Sequence, residues 1–192
     1  MTEIRWHGRG GQGAFTAAKL LGAAVSLFEG RHSMAFPSFG PERRGAPVLA
    51  FTKISDEVIR DRTEIKRCDV IVLLDDTLYT PSYLQDLKEG GLLLINSTAH
   101  AKSSETPVSN SSTPAEAVKG CVIHLDALSV ALPILGRPIA NTAMLGALAG
   151  ITGLVSRETL FSASQGFFSG KLLEKNRQVL EEAYRLGKEA AQ

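Results

Sequence analysis

Gly8, Gly10 and Gly13 stand in the spacing G-x-G-x-x-G near the start of the chain, after a short strand-like run at residues 3–7 and ahead of a helical pattern. That context gives the pattern chemical meaning. Glycines allow a tight turn and let backbone amides approach an anion, while the positive end of the following helix favours negative charge. Arg9, Gly11 and Gln12 complete the loop, and Arg9 offers a further phosphate contact. The same six residues also suit a tight strand-to-helix connection with no ligand, so both readings stay open.

Other chemistry is thinly supported. An NAD site of the usual kind needs an acidic residue about 20 positions on, at the end of the second strand. Glu29 has the distance but stands where the first helix ends, and Glu42 lies in a later turn. No G-x-x-x-x-G-K-[ST] is present, which excludes a P-loop. Asp75 and Asp76 follow an apolar run; a metal is conceivable there, but a strand end or a helix cap near Thr77 or Thr80 is preferred. His7, His32, His100 and His124 show no ligand spacing, and no G-x-S-x-G accompanies the many serines. No residue is assigned a catalytic role, and none a metal.

Residues 36–47, F-P-S-F-G-P-E-R-R-G-A-P, join two phenylalanines, three further ring-constrained prolines and paired arginines without period. Aromatic and arginine side chains anchor interfaces. Phe39, Glu42, Arg43, Arg44 and Gly45 are therefore the expected partner contacts, set against a stiff surface loop whose aromatics plug the local core.

The chain has 192 residues, a net charge of +1, 44% hydrophobic and 21% charged residues, which is ordinary globular usage. Length favours a single domain over 1–192. Near-zero charge demotes nucleic acid and anionic membranes as main partners. Cys68 and Cys121 are too few for a disulfide framework, an iron–sulfur cluster or a cysteine-rich zinc site. They fit a reducing cytoplasm. Glu3 and Arg5 interrupt any secretory apolar core, and no run reaches eighteen apolar residues. The expectation is therefore no export signal and no membrane span.

To place these residues, the sequence predicts strands at 3–7, 48–54, 69–74, 92–95 and 121–125. The run 70–74 is continuously apolar, as in a strand covered on both faces. A first helix carries Phe15, Ala18, Leu21, Val25 and Phe28 on its apolar side and ends near Gly30. A short helix at 79–88 is broken by Gly90-Gly91. Residues 96–114 hold nine Ser or Thr among nineteen and read as surface. Helices are expected at 126–135, 140–154, 156–168 and 171–191, with small residues such as Gly146, Ala147 and Gly150 allowing close packing. The fold class is α/β: a Rossmann-like, mostly parallel sheet flanked by helices, with a helical C-terminal third packed on it.

Two motifs together resemble the gamma subunits of the 2-oxoacid:ferredoxin oxidoreductases, especially of the pyruvate synthase class. That family opens with a strand and G-x-G-G-Q-G, matched by Gly8, Gly10, Gly11, Gln12 and Gly13, and continues into P-E-R-R-G-A-P, matched by residues 41–47. Ile54-Ser55-Asp56 with Ile59, the run N-T-A-M-L-G-A at 141–147 and Glu174-Lys175-Asn176 also fit. The resemblance covers nearly the whole chain, and the order and spacing of its parts are fairly specific. It implies a complex that decarboxylates a 2-oxoacid oxidatively and makes acyl-CoA. Thiamine diphosphate, magnesium and iron–sulfur clusters would then belong to alpha, beta and delta partners, with ferredoxin as acceptor. The chain alone would bind no cofactor and be inert, apart from coenzyme A at residues 8–13.

Two other readings remain from the residues. One is a free-standing nucleotide-binding protein, NAD-linked or regulatory; the other is a purely architectural gamma chain whose glycine loop is only a turn. Within the resemblance, R-R-G-A-P suggests pyruvate or a branched-chain oxoacid, whereas 2-oxoglutarate relatives more often read R-G-G.

Overall fold

The computed structural model describes residues 1–38, 45–98 and 120–192. Strand β1 (Thr2–Arg9) leads into helix α1 (Ala14–Phe28), then β2 (His32–Pro37), β3 (Pro47–Ser55) and β4 (Cys68–Leu73). A 3-10 turn at Asp76–Leu78 and a short α2 (Ser82–Asp86) precede β5 (Leu87–Asn96) and β6 (Cys121–Leu125). Four helices close the chain: α3 (Ala127–Leu135), α4 (Asn141–Thr152), α5 (Arg157–Ser164) and α6 (Gly170–Ala190).

One six-stranded sheet runs β2-β3-β1-β4-β5-β6. The pairs β1–β4, β4–β5 and β5–β6 are parallel, while β3 is antiparallel to both its neighbours. The sheet is thus mostly parallel, as the sequence leads one to expect, with a single reversed strand beside β1. Strand β2 has no counterpart among the expected strands. Its side chains are mainly half-buried at the sheet edge, so it lacks both the continuous apolar run and the clean alternation that mark a strand.

Alternation of side chains splits the core into two. Ile4, Trp6, Ala50, Ile54, Val70, Val72, Leu92 and Leu94 face a large cluster with α1 and the four C-terminal helices. Phe51, Ile71, Leu73, Leu93 and Ile95 face the other way. β4 is buried on both faces, in keeping with its unbroken apolar run. The second face, however, is covered by Ile65 and by Tyr83 and Leu84 of α2 rather than by a layer of long helices. Charged side chains hold that thin cover down. Arg5 donates to the Ile65 and Lys66 carbonyls and to Asp86, and the buried Lys53 ammonium lies 2.8 Å from an Asp61 carboxyl oxygen.

Local details correct several expectations. The buried stripe of α1 runs through Ala14, Ala17, Ala18, Leu21, Ala24 and Val25, leaving Phe15 and Phe28 exposed. Gly90-Gly91 does not end a helix. It lies inside β5, where a step of five positions, from Leu87 to Leu92, opposes the step of two from Cys68 to Val70, and Gly90 takes φ 74° at that irregularity. The expected helix at 79–88 shrinks to α2. Asp126 and Ser156, read as first residues of helices, are their caps: each side chain accepts an amide from three residues on.

In the C-terminal third, α4 is buried from Asn141 to Ala149 and crosses α6 at glycines. A Cβ on Gly150 would lie 2.2 Å from the Tyr184 carbonyl oxygen, and one on Gly187 would lie 2.3 Å from that of Ala147. The backbones touch, which brings the start of α6 alongside the start of α4.

Candidate functional site

The glycine loop joins the carboxyl end of β1 to the first turn of α1, beside the carboxyl end of β4. Its shape is held from three sides. The Gly10 amide donates to the Ala46 carbonyl (2.8 Å) and the Gly45 amide to the Gly10 carbonyl (3.1 Å), continuing the β1–β3 pairing past Arg9. Gln12 folds back so that its Oε1 accepts the Arg9 amide at 2.7 Å, and its Nε2 donates to Asp75 at 3.0 Å. Arg9 reaches the same Asp75 oxygen at 3.0 Å, the Thr77 hydroxyl and the Gly45 carbonyl.

Arg9 and Gln12 are therefore engaged with the end of β4. Asp75 caps the 3-10 turn, which is the cap reading of that acidic pair. Burial alone would push its carboxyl up. Hydrogen bonds from the Thr77 hydroxyl, Gln12, the Thr77 amide and Arg9 outweigh burial and hold it below the ordinary carboxylate value.

Gly13 sits at the N-cap of α1 with φ 81°, in the left-handed region that glycine tolerates. It brings no capping side chain. The first helical hydrogen bond runs from the Ala17 amide to the Gly13 carbonyl, so the amides of Ala14, Phe15 and Thr16 precede it and point out of the helix end. Asn141, the first residue of α4, donates its Nδ2 to that same Gly13 carbonyl at 3.2 Å. A Cβ on Gly13 would fall 2.4 Å from this nitrogen. The third glycine thus admits both the turn and the asparagine.

A cavity of about 590 Å³ opens on this side of the loop. Gly11, Gly13 and Thr16 form one wall; Asn141 and Asn176 lie beside it, and Leu135, Ile139, Phe168 and Leu172 supply the apolar surface. Arg137, from the α3–α4 connection, and Lys171 and Lys175, one turn apart on α6, complete the lining. Among the described residues the lining holds no carboxylate. None of these three cations forms an ion pair with a described residue. Three like charges around a helix N-terminus repel one another, and a ligand carrying several negative charges relieves that repulsion. The size is that of a small-molecule site, with apolar walls for the uncharged part of such a ligand.

Sequence reasoning missed Arg137 and Lys171, and gave Lys175 no role at the site. They lie more than a hundred residues from the loop, and no local spacing marks them. Asn141 and Lys175-Asn176 do occur in the quoted C-terminal motifs, which here converge on the glycine loop. Of the expected partner contacts, only Gly45 is described, with φ 81°; Phe39, Glu42, Arg43 and Arg44 lie outside the described residues, as do 99–114 of the Ser/Thr-rich stretch and His100. Phe36 from the same aromatic segment packs on Phe51, ring centroids 5.2 Å apart, and so plugs the core.

Of the two acidic residues weighed for an NAD ribose, Glu42 lies outside the described residues and Glu29 is far from the loop. Glu29 ends α1, roughly 24 Å from Gly13 at 1.5 Å per residue. There it accepts the Thr159 hydroxyl at 2.7 Å and fastens α1 to α5. His7 is a satisfied core histidine, accepting Arg5 Nε at 2.9 Å and packed on Tyr83. Burial, then the Arg5 cation, push it down to about 3, so it is neutral. No helix is long and apolar enough to cross a membrane among the described residues.

A family model described as pyruvate ferredoxin/flavodoxin oxidoreductase matches residues 3–186. The chain is 48% identical over 185 residues to the pyruvate/ketoisovalerate oxidoreductases common subunit gamma of Thermococcus kodakarensis, covering 96% of each. It is 47% identical over 186 residues to pyruvate synthase subunit PorC of Methanothermobacter marburgensis, again covering 96% of each. The crystal structure of pyruvate oxidoreductase subunit PORC from Thermotoga maritima superposes with a TM-score of 0.76 at 34% identity, covering 96% of this chain and 95% of that one.

Proposed function

The chain belongs to the pyruvate ferredoxin/flavodoxin oxidoreductase family, as a gamma-type subunit of such a complex, and from that premise we propose that it holds the phosphates of coenzyme A for acyl-CoA formation at a centre carried by its partners. The observation that carries this reading is the cavity beside the glycine loop, lined by Arg137, Lys171 and Lys175 and open to the first turn of α1. The loop supplies its rim through Gly11 and Gly13. Gly8, Arg9, Gly10 and Gln12 serve the same site by fixing the loop's shape, with Arg9 spent on Asp75 rather than on a phosphate.

In this reading the whole chain is one gamma-type domain, inert alone and cytoplasmic. The 2-oxoacid is decarboxylated on thiamine diphosphate with magnesium, and electrons leave through iron–sulfur clusters to ferredoxin, all on alpha, beta and delta partners. What supports that division is the chemistry of this chain's own site, whose cations and helix-end amides suit anion binding. Oxoacid choice would rest with the partners. A relative named as common to pyruvate and ketoisovalerate oxidoreductases accords with this, and a product of acetyl-CoA follows where the oxoacid is pyruvate. Phe39, Glu42, Arg43, Arg44 and Gly45 remain the proposed partner contacts. NAD is the weaker occupant, because Glu29 is bound to α5 at the far end of α1.

The test is steady-state kinetics of the intact complex carrying Lys171→Ala, Lys175→Ala or Arg137→Ala. Each should raise the KM for coenzyme A about tenfold, the worth of one charge-assisted contact at a partly exposed site, and the effect should shrink with added salt. Wild-type KM values in all three would sink the reading. Gentle anaerobic purification of the tagged chain tests the partners: thiamine- and cluster-bearing chains should co-purify in fixed ratio, and recovery of the chain alone would refute them.

A further inference from the structure

Between the glycine loop and the lysines of α6 runs an unbroken chain of buried polar groups. Asn141 is 7%, Thr142 2% and Asn176 3% exposed. Asn141 Nδ2 donates to the Gly13 carbonyl at 3.2 Å, and its Oδ1 accepts the Thr142 amide at 2.8 Å. The Thr142 hydroxyl lies 2.8 Å from Asn176 Oδ1 and 3.3 Å from Asn141 Oδ1. With one proton to give, it donates along the shorter contact. Asn176 Nδ2 then donates to the Leu172 carbonyl at 2.8 Å, in the first turn of α6. Leu172 is flanked by Lys171, and Asn176 by Lys175.

Taking the coenzyme A reading above as its premise, we infer that Thr142 is a positioning residue, whose amide holds Asn141 and whose hydroxyl holds Asn176, keeping Lys171 and Lys175 in register with the glycine loop. Thr142 is not itself part of the cavity wall. Loss of its hydroxyl strands the buried Asn176 carbonyl oxygen without its donor, and a stranded acceptor of this kind drives its side chain to re-pair. The hydrogen bond between the starts of α6 and α4 is then lost while the backbone contact at Gly150 and Gly187 stays, and the two ammonium groups no longer converge on the position that the α1 amides select. Binding of a multiply charged ligand is sensitive to shifts of this order.

The experiment compares Thr142→Val, nearly isosteric but without the hydroxyl, with Thr142→Ser in the intact complex. Thr142→Val should raise the KM for coenzyme A about tenfold, the scale of one broken buried hydrogen bond. The kcat, the KM for the 2-oxoacid and retention of the chain in the complex should stay at wild-type values. Thr142→Ser should restore the coenzyme A KM to within about twofold. A merely structural role predicts the opposite division, with less assembled complex and lower apparent kcat but an unmoved KM.

A wild-type KM in Thr142→Val, alongside a raised KM in Lys171→Ala, overturns this inference and leaves the coenzyme A reading standing. Wild-type KM values in Lys171→Ala, Lys175→Ala and Arg137→Ala remove the reading, and the inference with it. Should Thr142→Val fail to enter the complex, Thr142→Ala is measured in the same way. Loss of both variants overturns the inference, because the hydroxyl would then be a requirement of folding.

Discussion

Replacing Gly187 by alanine tests the α4–α6 crossing. In an exposed helix interior this change would stabilise by about 1 kcal/mol through helix propensity. Here the added Cβ would stand 2.3 Å from the Ala147 carbonyl oxygen and 2.9 Å from the Ala147 Cα and carbonyl carbon, where ordinary contact begins at 3.4 Å, so the helices must part by about 1 Å. The obstacle is backbone and cannot rotate aside. Overpacking of this kind costs about 1–3 kcal/mol, toward the upper end when nothing can yield. Set against the propensity gain, the net loss is about 2 kcal/mol, or roughly 4–8 °C in Tm for a chain of this size. Urea unfolding of the full chain, followed by the buried Trp6, measures it directly. Gly150→Ala, facing Tyr184 across the same crossing, should behave alike. The double variant should cost less than the two single losses added together, because one separation relieves both clashes. A Gly187→Ala chain as stable as the wild type, or strictly additive losses, would refute the close crossing.

Arg9→Ala removes the links to Asp75, Thr77 and Gly45 and should lower the unfolding free energy by about 1 kcal/mol; an unchanged urea midpoint would count against its fastening role. His7 is held near pH 3 in the folded chain against an ordinary 6.5, so the unfolded chain binds the extra proton between those values and stability falls as pH falls through that window. Between pH 6.5 and about 5, before most carboxylates titrate, the loss should be roughly 1–2 kcal/mol, and His7→Gln should flatten it. A thiol reagent should modify one cysteine in the folded chain: Cys121 is exposed, whereas Cys68 is buried and burial pushes its thiol up to about 11. Two fast-reacting thiols by mass spectrometry would contradict the packing of β4.

Local order in the chain was legible because its causes are local. Apolar run length marked β4, β6 matched its expected bounds, and Asp126 and Ser156 marked helix starts because a capping oxygen acts within one turn. β2 and the Gly90-Gly91 irregularity are not legible in the sequence, since edge position and pairing register are properties of neighbours rather than of the segment. Of the apolar positions that spacing assigns to the buried side of α1, Ala18, Leu21 and Val25 are buried but Phe15 and Phe28 are exposed, because close approach to the sheet selects alanines.

For the site the division is sharper. Spacing of Gly8, Gly10 and Gly13 after a strand was enough to announce an anion-compatible turn, and the ordered motifs were enough to announce the family. What lies opposite that turn was decided only in three dimensions. Asn141, Arg137, Lys171 and Lys175 reach the loop because Gly150 and Gly187 let α6 lie directly on α4, and because Gly13 has no side chain to exclude Asn141. Likewise only folding shows that Arg9 is committed to Asp75 and Glu29 to α5. A residue's type sets which bonds it can make, but which bond it makes depends on the groups that packing carries to it from distant parts of the chain, and sequence spacing does not encode that distance.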